Sequence, residues 1–217
     1  MRIAIVGGHG KVALHLHPIL AAAGHTPVAL VRSESYRDEL EALGAEVGLL
    51  DIENQDEDGF AAAFAGCDAV VFAAGGGPDG NIERKRTVDL EGSTKSIAGA
   101  KAAGIRRFVQ VSAIGVDVPV PADAGEVWKA YVEAKRDADI ALRGSDLAWT
   151  ILRPGGLTDE PATGRVKLAE KLDRHTIPRA DVAAVIAAVI DDDATVGKQW
   201  ELVSGDASID EAIAAVL

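Results

Sequence analysis

The chain has 217 residues, 48% of them hydrophobic and 26% charged, with a formal net charge of -12, which suits a single domain with a core large enough to build a cleft. That acidity argues against nucleic acid or an anionic membrane as a partner, because both require a cationic footprint. The single cysteine, Cys67, rules out an internal disulfide and has no evident metal partners.

The apolar, β-branched run Ile3 to Val6 is too continuous to alternate and suits a strand buried on both faces of a parallel sheet. Because Met1 leads directly into it and no stretch reaches transmembrane length, a cytoplasmic protein is expected. Lys11 to Ala23 then reads as a helix ended by Gly24, Pro27 to Val31 as a strand and Glu34 to Leu43 as a helix stopping at Gly44. Strand Glu46 to Leu50, helix Asp56 to Phe64 and strand Asp68 to Ala73 follow. A long helix runs from about Ile82 to Ala103, then strand Arg106 to Ser112, helix Glu126 to Arg143 and strand Ala148 to Arg153. Beyond Pro154 the pattern loosens: Gly155 to Gly164 reads as a loop, Arg165 to Leu172 as a short strand and Pro178 to Ile190 as a helix. Strand Gln199 to Val203 and helix Ser208 to Val216 close the chain. This alternation implies an α/β fold, a doubly wound parallel sheet of Rossmann-like type, in one domain with a small C-terminal extension. Ligands then bind where the strands end.

Past the first strand lie Gly7, Gly8, His9 and Gly10, followed by Lys11 and Val12. Glycine permits positive φ and lets a pyrophosphate approach the backbone at a helix N-terminus. The spacing is Gly7-x-x-Gly10-x-x-Ala13 rather than G-x-G-x-x-G, so on its own it fits either a phosphate cradle or an ordinary strand-to-helix turn. A nucleoside-triphosphatase loop is excluded, since Ile5 and Val12 occupy its glycine and Ser/Thr positions. Arg32 and Ser33 follow the second strand; a guanidinium there pairs with an adenosine 2′-phosphate and points to NADP(H), unless Arg32 is a surface arginine capping the strand. Past the next strands come Asp51 with Ile52, then Ala74, Gly75 and Gly76, then Ser112, and last Arg153 to Gly156.

Tyr131 and Lys135 are spaced i, i+4, on one face of their helix. An ammonium about 4 Å from a phenolate stabilises it by up to ~4 kcal/mol at an effective dielectric near 20, which would bring the phenol toward a working range for proton transfer. Ser112 is placed to donate to a substrate oxygen. On a helix elsewhere the same spacing would read as a solvated face.

With these motifs in order, the chain resembles the short-chain dehydrogenase/reductase superfamily, specifically its small atypical, epimerase-like NAD(P)-binding members. The matching pieces are Gly7 to Ala13, Val70 to Gly75, Val111 to Gly115, Tyr131 to Lys135, Ile151 to Gly156 and Ile177 to Ala183. The resemblance implies that Gly7, Gly10, Arg32 and Asp51 hold the adenosine half of NADP(H). It further implies that Lys135 binds the nicotinamide ribose, Tyr131 serves as acid or base, Ser112 polarises the substrate carbonyl, and Pro154, Gly155 and Gly156 flank the nicotinamide. Two departures stand out. Asp89 replaces the superfamily's usual asparagine, where a carboxylate pairs with Lys135 or binds its water differently from an amide and so alters the proton relay, and only Thr158 to Leu217 remain for substrate contacts and the last sheet elements.

The implied function is an NADPH-dependent oxidoreductase acting on a small carbonyl, quinone or flavin-type acceptor, with residues 155–217 on the substrate side. A non-catalytic NADP(H) sensor is the alternative, and a sugar-nucleotide epimerase is disfavoured by the short C-terminal region. Among other polar residues, His15 and His17 read as surface positions, and Asp191 to Asp193 as a solvated acidic loop. His9 fits a phosphate contact or a tolerated turn residue equally. Trp128 fits a wall of the substrate site or a packing role. No metal site is expected. Gly75 to Gly80 and Val118 to Gly125 are loops that flank the crevice, as lids or as mobile surface.

Overall fold

The computed structural model describes residues 1–77 and 79–217. Pro78, within the expected lid Gly75 to Gly80, lies outside the described residues. A nine-stranded sheet runs in the order β11-β8-β10-β6-β5-β4-β1-β2-β3. Its strands are β1 (Arg2–Val6), β2 (Thr26–Val31), β3 (Glu46–Leu49), β4 (Ala69–Phe72), β5 (Arg107–Val111), β6 (Ala148–Pro154), β8 (Arg165–Ala169), β10 (Lys198–Ser204) and β11 (Ala207–Ser208). From β3 to β10 neighbouring strands are parallel; β8 pairs antiparallel with both β10 and β11. The sheet is therefore mostly parallel, as expected, with an antiparallel margin.

The pleat sends alternate residues of each strand to opposite layers. Ile3 and Ile5 of β1, with Ala69 and Val71 of β4, join a core that includes α1 (Lys11–Ala22) and α7 (Arg179–Val189). Ala4, Val6, Val70 and Phe72 face the other way, into a core with α3 (Glu57–Ala63) and α5 (Gly92–Ala102). Ile3 to Val6 are fully buried, and each large aliphatic side chain so removed from water contributes about 1.5–3 kcal/mol. That two-sided burial explains why β1 reads as an unbroken apolar run.

Three features depart from the expected elements. Gly155 to Gly164 is not wholly a loop: β7 (Gly156–Thr158) pairs in parallel with β9 (Thr176–Pro178) as a separate two-stranded sheet. The expected helix Ile82 to Ala103 is continuous but not uniform, since α4 (Ile82–Arg84) opens into a wide π segment, Lys85–Glu91, before α5. Third, His17 is fully buried rather than superficial: its Nε2–H donates to the Gly8 carbonyl at 2.7 Å, and Nδ1 has no partner. Among the described residues no helix is long and apolar enough to cross a membrane, and no cluster of His, Cys, Asp or Glu is arranged to hold a metal ion.

Candidate functional site

The strand order reverses between β1 and β4, and a crevice opens there at the strands' carboxyl ends. Its cavity, about 290 Å³, is lined by Gly7 to Gly10, Arg32, Asp51, Ile52, Ala74 and Gly75, all expected, together with Tyr36, Glu53, Arg84 and apolar residues of β2. The glycines are demanded first by packing. A Cβ on Gly7, whose φ is +83°, would meet the backbone of Ala74 at 2.8 Å, and one on Gly8 would meet that of Ala29 at 2.7 Å. His17 fixes the loop from behind through the Gly8 carbonyl. Burial holds the His17 imidazole below its ordinary pKa, against the opposing pull of that carbonyl. Helix α1 starts at Gly10 with no side chain capping its first-turn N–H groups, leaving the donors that an anion would accept.

Arg32 is exposed on the rim of this cavity and makes no hydrogen bond or ion pair among the described residues. Its neighbours are otherwise engaged. His9 stacks on Tyr36 with centroids 3.8 Å apart and bonds Glu39 at 2.9 Å. Ser33 caps the turn that follows it, accepting from the Ser35 N–H. Arg37 pairs with Glu34 and Glu41. The Asp51 carboxylate accepts from the Asn54 side chain at 2.9 Å and from the backbone of Glu53 and Asn54. Those bonds, Asn54's side chain foremost, hold it below the usual carboxylate range, with Arg32's charge assisting.

A second cavity, about 300 Å³, is lined by Ser112, Tyr131, Pro154, Gly155 and Gly156, and also by Trp128, Leu157, Arg174 and Arg179. Lys135 lines neither cavity, although it bonds Ala74, which lines the first, and Val111, which precedes Ser112 of the second. Its buried ammonium is 3.0 Å from Asp89 Oδ1 and donates to the carbonyls of Ala74 and Val111 at 3.4 and 3.2 Å. Burial alone would lower its pKa, but Asp89 and then Tyr131 hold it above the ordinary lysine value. Asp89 thus pairs with Lys135 as expected, and its other oxygen accepts the Gly76 N–H at 2.8 Å. Gly76 is consequently turned toward Asp89 and the Arg84 carbonyl rather than into the first cavity.

Two expectations about the chemistry change. Burial pushes the Tyr131 phenol above its ordinary pKa, and Lys135 pulls against that shift without reversing it. The ammonium's attraction is divided among Asp89 and two carbonyls, so the phenol keeps its proton at neutral pH. Ser112, for its part, donates to Asp139 Oδ2 at 2.8 Å, so in this arrangement its proton is not free for a substrate oxygen. Asp139 also accepts from Gln110 at 2.7 Å and Arg153 at 2.8 Å. Burial raises the Asp139 carboxyl, opposed chiefly by Arg153. Arg153 is itself buried and reaches back to Asp117, so it faces this network and not the crevice.

Lys11 and Val12 line neither cavity. Val12 is in the core, whereas Lys11 pairs at 2.6 Å with Asp159, which also binds Arg179 at 2.6 Å. Asp139 was not singled out in the sequence, although Tyr131, Lys135 and Asp139 form one i, i+4, i+8 row on α6 (Glu126–Arg143). Arg174 and Glu201 left no comparable local signal.

A mostly parallel sheet with helices on both faces, a glycine turn after β1 and a crevice at the strand-order reversal define a Rossmann-like dinucleotide-binding protein. The chain belongs to the NAD(P)H-binding family, whose profile matches residues 7–193. It is 39% identical over 214 residues to YhfK of Bacillus subtilis, named an uncharacterised sugar epimerase, covering 98% of this chain and 99% of that one. A Bacillus halodurans structure, named provisionally as an NAD-dependent epimerase/dehydratase, superposes with a TM-score of 0.92 at 39% identity over 100% of both chains. The oxidoreductase YlbE of Lactococcus lactis superposes with a TM-score of 0.86 at 26% identity, over 99% of this chain and 96% of that one.

Proposed function

We propose that this protein is an NADPH-dependent oxidoreductase acting on a small carbonyl, quinone or flavin-type acceptor. The chain forms one dinucleotide-binding domain over residues 1–217, with residues 155–217 supplying much of the substrate side. The observation that carries the reading is the position of Lys135: its ammonium bonds the carbonyl of Ala74 beside the first cavity and that of Val111 next to Ser112 at the second. Tyr131, one turn earlier on the same helix, lines the second cavity.

The residues present fit NADP(H). Gly7 and Gly8 leave no room for a side chain, the first-turn N–H groups of α1 lack side-chain caps, and Arg32, at the end of β2, is a cation with no partner among the described residues. Gly7 to Gly10 would hold the pyrophosphate, Arg32 the 2′-phosphate, Asp51 and Ile52 would border the adenine, and Pro154 to Gly156 would flank the nicotinamide. The chemistry such a cofactor would supply when bound is hydride transfer to the acceptor. Tyr131 then donates its phenolic proton to the acceptor oxygen. Lys135 offsets the negative charge left on the phenol. The name of the Lactococcus relative supports an oxidoreductase.

A screen of aldehydes, quinones and flavins that follows NADPH oxidation tests the reading. Turnover is expected for at least one acceptor, and Tyr131→Phe should lower kcat by about a hundredfold or more while leaving NADPH binding intact. Unchanged kcat in that variant would remove Tyr131 from the reaction. The commitment of Ser112's proton to Asp139 favours a second reading, a non-catalytic NADP(H) sensor. It predicts no turnover across the panel and a partner whose affinity differs between NADP and NADPH.

A further inference from the structure

The second cavity combines aromatic walls with an unusual charge. Trp128 and Tyr131 meet at 5.6 Å between ring centroids with planes 36° apart, and the Arg174 guanidinium lies 5.1 Å from the Trp128 ring centroid. In a chain of net charge -12, the charged side chains lining this cavity, among the described residues, are Arg174 and Arg179. Arg179 shares its charge with Asp159, whereas Arg174 has neither a hydrogen bond nor an ion pair among the described residues.

The place of Arg174 is built into the fold. The buried Glu201 accepts the Gly115 N–H at 2.8 Å and the Leu172 N–H at 2.7 Å, tying together the two loops that meet at the cavity. A Cβ on Gly115 would lie 3.2 Å from the Arg174 guanidinium, so this glycine leaves room for the side chain beside the indole. A guanidinium stacked on an aromatic ring keeps its in-plane N–H fork directed outward, the geometry that recognises carboxylate or phosphate.

We propose that the acceptor carries a carboxylate or phosphate group on a planar body, with the anionic group docked on Arg174 and the body against Trp128. This rests on the reading of the second cavity as the substrate site. The charge is suited to its setting: an acidic protein repels anions over most of its surface, and a local cation is what allows one to dock. Arg179, its charge offset by Asp159, lines the same cavity.

The test is equilibrium binding, which is independent of turnover. The probes are 2-naphthoate, 2-naphthyl phosphate and the neutral 2-naphthalenemethanol, titrated by calorimetry into the protein with and without NADPH. At least one anion is expected to bind tenfold or more tightly than the alcohol. Arg174→Gln should bring that ratio to within twofold, and Trp128→Ala should weaken all three probes. Preference for naphthoate over naphthyl phosphate identifies a carboxylate as the natural group, and the reverse a phosphate ester. An alcohol that binds as tightly as both anions, or an anion preference unchanged in Arg174→Gln, overturns the proposal. Failure of the NADPH-oxidation screen with anion preference intact would instead count against the catalytic reading alone.

Discussion

Arg32 offers the sharpest perturbation because it is the cation at the end of β2 that has no protein partner among the described residues. A hydrogen bond to a charged group is worth about 1.5–3 kcal/mol, and the exposure of Arg32 favours the lower end. Arg32→Ala should therefore weaken NADPH binding by about tenfold, at 1.4 kcal/mol per decade, and leave NADH within about twofold. Arg32→Glu also introduces repulsion. Two unit charges about 4 Å apart in water interact by about 1 kcal/mol, and the 2′-phosphate carries nearly two charges, so the total loss for NADPH should reach about a hundredfold. NADH should be unaffected or gain, since a carboxylate at this position accepts from ribose hydroxyls. Fluorescence titration of both cofactors against wild type and variants measures this directly, and much of the effect should fade in high salt because the group is exposed. Equal affinities for NADPH and NADH, before and after the substitution, would refute the assignment of Arg32 to the 2′-phosphate.

Asp89→Ala strips the buried Lys135 ammonium of its counter-ion and the Gly76 N–H of its acceptor. The cost should be about 3–5 kcal/mol, seen in thermal unfolding as a fall in Tm of about 6–20 °C for a chain of this size; a fall below about 2 °C would show the pair to be dispensable. His17 gives a pH prediction with a definite sign. Its pKa is lowered in the fold by burial and is near ~6.5 in the unfolded chain, so below that pH the unfolded state binds the extra proton. The contribution of His17 is complete above about pH 6.5 and is lost as pH falls from there toward the folded pKa. Urea unfolding at pH 7.5 and 5.5 should accordingly show a smaller acid loss in His17→Gln than in wild type, and equal losses would contradict a neutral buried imidazole.

Much of the architecture was legible because the strands announce themselves locally. β1 and β4 are short, largely apolar runs buried on both faces, and the helix Glu126 to Arg143 matches α6 end for end. The strand-end rule likewise anticipated where Gly7, Arg32, Asp51 and Ala74 would meet. What escaped depends on contacts distant in sequence. β7 and β9 have three residues each and exist through pairing with one another, with too little length to show an alternation. His17 looks like any polar helix residue until the Gly8 carbonyl is brought behind it. Ser112's partner is 27 residues away on α6, so the direction of its proton could not be read from its place after β5. The mutual position of Tyr131 and Lys135 was legible from their spacing, but the net effect on the phenol was not, because burial is a property of the whole fold.

The π segment Lys85–Glu91 bears on how the gene tolerates change. An α-helix advances about 100° per residue, and a π turn accommodates an additional residue without breaking the helix. Asp89 meets Lys135 and Gly76 from within that segment, while α5 beyond it packs on α3. Deleting one codon just after Asp89 would let the helix close to ordinary winding with both flanks near their present registers, whereas the same deletion in the middle of α1 would rotate one flank against the other by about 100°. In the first case Asp89 would keep its place by the ammonium and α5 its seat. The helix thus carries one residue more than its winding requires, and random single-residue deletion scanning should find this segment, Asp89 itself excepted, more forgiving than the middle of α1.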